Sequence, residues 1–168
     1  MIILTPWLLI FGGTCVFIWN VTKLDPPKEA LLIQNFYEHR VAFEQLRDML
    51  QADTNLSRVA VWGIDRSKPF FLGYPMEQDF PLDRFHKYLV LLKQAGGKVA
   101  TRRAGAQADP GIVVWGWGFA GNTRHIGFCW LDRKPTNQIP ALDGYRSHSE
   151  DSVAYHHIDS NWYIWTDL

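Results

Sequence analysis

Residues Val113–Trp130 read VVWGWGFAGNTRHIGFCW, a run in which tryptophan and glycine take turns before the chain reverses. Side chains of a strand point to opposite faces in turn, so the spacing predicts two strands, Ile112–Phe119 and His125–Leu131. Gly121-Asn122 suits the tight turn between them. With that turn Trp117 faces Ile126, Trp115 faces Phe128 and Val113 faces Trp130, which makes one face wholly large. The reverse face carries Gly116, Gly118, His125, Gly127 and Cys129 and is almost bare. The large face is core. The bare face suits close packing by a helix, or a shallow groove with His125 at its lip and Arg124 beside it for an anion. A loop of odd length would exchange the two faces.

Outward from this hairpin the apolar spacing changes period. Leu32, Phe36, His39, Phe43, Leu46 and Leu50 form one stripe of a long amphipathic helix from Lys28 to about Ala52. His39 on that stripe is either a base or ligand in a pocket, or a core histidine bonded to a neighbour. Arg40 is spaced to serve Glu44 at the next turn. Ser57–Asp65 reads as a strand and Phe70–Leu72 as a short one. A second helix is expected over Pro81–Ala95, ended by Gly96-Gly97, with KVATRRA as a further strand. After a long loop, SVAYHHID and NWYIWTDL form a last pair. Trp162 and Ile164 point one way there and Tyr163 and Trp165 the other, which places that strand near the sheet centre. The sum is an α+β fold, a two-layer domain of mostly antiparallel sheet with two helices on one face.

The first 21 residues, MIILTPWLLIFGGTCVFIWNV, carry no charged side chain. A helix of about 20 residues rises roughly 30 Å, the thickness of a bilayer core. Residues 1–22 are therefore expected to form a transmembrane anchor with Trp7 and Trp19 at the two interfaces. Residues 23–30 are a linker, and 31–168 the globular domain. A cleaved signal peptide, a lipid-modified Cys15 and a buried core helix are the alternatives. The first lacks a basic start and a clear cleavage site. The second lacks a branched residue three positions before Cys15. The third does not suit so long and unpatterned a run. Lys23 and Lys28 stand among Asp25 and Glu29, so charge leaves the orientation open.

Lys+Arg and Asp+Glu both number 17 in 168 residues, so no net field points to nucleic acid. None of the six histidines sits in a metal-binding frame, and no nucleophile elbow or phosphate loop is present. Neither a metal, nor a cofactor, nor a catalytic residue is assigned. Cys129, between Phe128 and Trp130, reads as an inert strand cysteine. Trp62, Trp115, Trp117, Trp130, Trp162 and Trp165 either fill the core or form a binding platform.

The segments NFYEHRVAFEQLRDML, RFHKYLVLLKQAGG, RHIGFCWLDRKP and YHHIDSNWYIW resemble uncharacterised small bacterial envelope proteins, lipoproteins and single-pass membrane proteins among them. The resemblance covers roughly Phe36–Trp165 and implies an exported domain held near the inner membrane on its periplasmic side. It implies no activity. The expectation is a membrane-anchored envelope protein that acts by binding a protein partner, in the manner of an immunity-type inhibitor of a toxin. A glycan-binding module using exposed tryptophans and a hydrolase centred on His39 or His125 are the alternatives. The binding candidates are His39, Arg40, Trp115, Trp117, Arg124 and His125.

Overall fold

Five strongly apolar positions of the first helical stretch, Leu32, Phe36, Phe43, Leu46 and Leu50, are buried. They lie on two helices, not one: α1 (Glu29–Glu38) and α2 (Arg40–Ala52). The break falls at His39, whose backbone leaves the helical region at φ −118° and ψ 21°. It turns His39 out of the apolar stripe and into solvent. Arg40, the next residue, is held by Glu44 and by Asp159 of a distant strand. The computed structural model describes residues 25–67, 70–102, 109–119, 122–145 and 153–167. The expected anchor over residues 1–22, with Trp7 and Trp19, lies outside them. Among the described residues no helix is long and apolar enough to cross a membrane.

The expected strand Ser57–Asp65 is a hairpin, β1 (Leu56–Ala60) and β2 (Gly63–Ser67). Its turn, Val61-Trp62, is exposed. Gly63 makes the turn possible: its φ is +141°, and a Cβ there would stand 2.0 Å from the Gly73 carbonyl oxygen. β3 (Phe70–Gly73) and helix α3 (Leu82–Gln94) follow as expected, and Gly96 ends α3 at φ +64°. Then come β4 (Val99–Thr101), β5 (Gly111–Phe119), β6 (Asn122–Trp130), β7 (Ala154–Asp159) and β8 (Trp162–Thr166).

The eight strands of the described residues join one sheet in the order β3-β2-β1-β4-β5-β6-β8-β7, and every neighbouring pair is antiparallel. β8 is therefore next to an edge strand, not central. Its two-sided apolar pattern has another cause. Trp162 and Ile164 join the main core, while Tyr163 and Trp165 cover a second cluster with Cys129 and Leu131 on the reverse face.

The three helices of the described residues pack their buried side chains into one core on one face of the sheet, and the break at His39 makes them one more than the sequence suggested. Phe36 and Phe43 meet Phe128 and Trp162 at ring separations of 4.7 to 6.0 Å. Each such fully buried side chain contributes about 1.5–3 kcal/mol relative to exposure. At the far end of α2, the Asp53 carboxylate receives Arg84 Nε at 2.7 Å and the Tyr88 hydroxyl at 2.7 Å, tying α2 to α3.

The central hairpin differs from the expected register by two residues. Trp117 pairs with Arg124, Gly116 with His125 and Trp115 with Ile126. A bulge between Val113 and Trp115 then shifts the pairing, so that Ile112 opposes Phe128. The bulge lets both Ile112 and Trp115 serve the core face. Among the described residues no helix packs against the glycine face. Trp165 lies there instead: a Cβ on Gly127 would stand 2.7 Å from its Nε1 and 2.5 Å from the Ile112 carbonyl oxygen. The glycine is required by a neighbouring indole and a neighbouring backbone.

Candidate functional site

β4 pairs with β5 only through Gly111–Val113, and β8 pairs with β6 only as far as Ile126. Beyond these points β5 and β6 have no strand but each other among the described residues. From Trp117↔Arg124 to Phe119↔Asn122 the hairpin forms an arm, three residue pairs or roughly 10 Å long. Alternate glycines at 116 and 118 keep its reverse face thin. On the opposite face of the arm Trp117 is 37% exposed, and its cross-strand partner Arg124 is exposed.

His125 fixes the arm where it leaves the sheet. Asp167, the residue after β8, receives both the backbone N–H of His125 and its ring Nδ1, the latter at 2.9 Å. The His125 carbonyl in turn accepts the Thr166 hydroxyl at 3.2 Å and the Asp167 N–H at 3.3 Å. The carboxylate partner favours a proton on Nδ1, and Nε2 stands beside Gly116. Among the described residues no hydroxyl or thiol is bonded to Nε2. Cys129 lies further along the same face, and burial pushes its thiol well above the ordinary range. The geometry is that of a clamp that orients a strand end.

The six binding candidates thus fall into two groups. Trp115, Trp117, Arg124 and His125 share the hairpin, although Trp115 packs against the core and Arg124 and His125 point to opposite faces. His39 and Arg40 sit near the β7–β8 turn, at the other end of the sheet. Arg40 Nε meets Glu44 at 2.9 Å, as its spacing suggested, and a second guanidinium nitrogen meets Asp159. That hydrogen bond from Arg40 holds the Asp159 carboxyl below its usual range, and the bonds Arg40 donates to Glu44 and Asp159 raise its own guanidinium. Both Arg40 and Asp159 are engaged within the domain.

Two partners escaped the sequence reading. Asp167 lies 42 residues from His125, and Asp159 lies 119 from Arg40. Only strand pairing brings them together. Of the six domain tryptophans, Trp162 is fully buried and Trp115, Trp130 and Trp165 are half-buried, while Trp62 and Trp117 are the exposed ones.

The sheet edges are treated unequally. β7 is covered by the loop before it: Tyr155 N–H bonds the Asn137 carbonyl and Ile139 N–H bonds the Tyr155 carbonyl, both at 2.9 Å. β3, the other edge, has no neighbour beyond it among the described residues. It displays Phe70, 78% exposed, and Leu72, 57% exposed.

A small cleft of about 220 Å³ lies between Pro26, Pro27, Lys28, Ile126 and the loop Leu142–Tyr145. It falls below the roughly 300 Å³ at which small-molecule sites begin. Among the described residues no cluster of His, Cys, Asp and Glu is arranged to hold a metal ion. No family model, curated protein or solved structure matches the chain.

Proposed function

We propose that the chain is a single-pass inner-membrane protein whose periplasmic domain acts by binding another protein, as an immunity-type inhibitor of an envelope-targeted toxin does. The observation that carries this reading is the bare edge at β3. Natural sheets blunt their edges with charge, proline or covering loops, and this molecule does so at β7. At β3 the four residues are FFLG, without charge, and two of the apolar side chains face water. Such an edge offers backbone hydrogen bonds and alternate apolar contacts to an extended segment of a partner.

The test is a photo-crosslinking residue at position 70 in the full chain, expressed in its native envelope. One discrete protein adduct is expected, and Leu72→Glu in the same chain should abolish it. A crosslinker at Val90, equally surface-placed on α3 at 55% exposure, should give none. Equal yields from positions 70 and 90, or no adduct from either, would remove the proposal.

A further inference from the structure

β1 and β5 both run antiparallel to β4, and the row Ala60↔Val99↔Val113 sets their alignment. The β1–β2 turn and the β5–β6 arm therefore project from the same end of the sheet. Tyr74 stands at that end too, since Gly73 pairs with Ile64 beside the turn. The chain also enters the domain there, because Pro26, Pro27 and Lys28 share a cleft with Ile126, two residues from Arg124.

This end is unlike the rest of the surface. Val61, Trp62, Tyr74 and Trp117 are all exposed on it, at 76, 46, 57 and 37%. Exposed Lys28, Lys98 and Arg124 lie among them and make no ion pair among the described residues. The carboxylates nearby are engaged. Glu29 holds the Leu142 N–H and faces His156, Asp143 receives the Glu29 N–H at 3.0 Å, and Asp167 clamps His125. Asp25 in the linker is the exposed exception. Indole and phenol rings mixed with lysine and arginine are the side chains that favour the headgroup layer of a bilayer. Lysine and arginine add attraction to anionic lipid.

The tether length agrees. From Thr22, the end of the uncharged run, to Pro26 is four residues, at most about 14 Å of chain. We infer that this end of the domain docks on the bilayer in which residues 1–21 are anchored, with Trp62 and Trp117 at headgroup depth. The inference rests on the anchor reading. It adds that the body lies against the membrane with the β5–β6 arm downward and is not held off on a free linker. The partner surface at β3 is then kept at a fixed height and orientation.

The experiment uses the full chain in vesicles containing anionic lipid, with a share of the lipid brominated near the top of the acyl chain. Trp7 and Trp19 contribute equally to every variant, so differences report the domain. Trp117→Phe and Trp62→Phe should each remove part of the quenchable emission. Reversing Lys28, Lys98 and Arg124 to glutamate should lower domain quenching about twofold while the protein still floats with the vesicles. Flotation with quenching unchanged in both tryptophan variants would overturn the docking and leave the anchor standing. Failure to float would remove the anchor and the inference together.

Discussion

Gly127 shows most directly how a single position is decided by its neighbours. It sits between an indole from β8 and the Ile112 carbonyl of β5, with no room for a methyl group on either side. Gly127→Ala should therefore cost about 1–3 kcal/mol, the usual range for overpacking, read as a lowered denaturation midpoint with unchanged m-value. Gly116→Ala is the control. Its Cβ would stand 3.1 Å from the His125 ring edge, a contact a small ring movement relieves, so a much smaller loss is expected. The alternation of large and small residues was readable in the sequence, and it correctly assigned Phe128, Ile126 and Trp115 to the core side. The partner of each was not readable. The turn lies between Phe119 and Asn122, one residue earlier than the Gly121-Asn122 position that local chemistry favoured, and Val114 carries no mark of a bulge.

At the level of elements, helices were legible and their interruptions were not. Apolar spacing placed α3 to within a residue at either end, and its stripe found Leu32, Phe36, Phe43, Leu46 and Leu50 of α1 and α2 but missed the break and the buried Ala42 and Met49. No proline or glycine stands at His39, so nothing local predicts a kink there; the ties from Arg40 to β7 accompany it. The joint between α2 and α3 makes a further prediction. Burial, and then the hydrogen bond to Asp53, hold the Tyr88 phenol well above its ordinary value. A group whose folded pKa is raised keeps its proton in the folded state when the unfolded chain loses it. Its stabilisation is present in full below the unfolded value near 10 and is lost as pH rises above it. Thermal melts from pH 8 to 11 should show Tm falling above about pH 10. Tyr88→Phe should start from a lower Tm, having lost the bond to Asp53, and fall less steeply over the same interval. Parallel curves for the two proteins would contradict the assignment.

The whole molecule is an α+β sheet-and-helix layer whose class followed from the order of periodic segments. Strand order did not follow. The long excursion that brings β8 between β6 and β7 depends on pairings made far along the chain, and the side-chain pattern of NWYIWT fits a central strand as well as a penultimate one covered by its neighbours' aromatics. The surfaces proposed for partner and membrane escaped for the same reason. Phe70 and Leu72 become an exposed edge only once β3 is known to be last, and Val61, Trp62, Tyr74 and Trp117 become one end only once the strands are aligned. The binding half of the proposal rests on the β3 edge, and its tether rests on the run of uncharged residues that precedes this body. The most direct measurement is fractionation of the full-length chain from cells, with alkaline washing of the membranes and mass determination of the amino-terminal peptide. The account predicts that the protein stays in the membrane pellet until detergent is added and retains residues 1–21. A protein found free in the aqueous fraction with that segment still attached would contradict it.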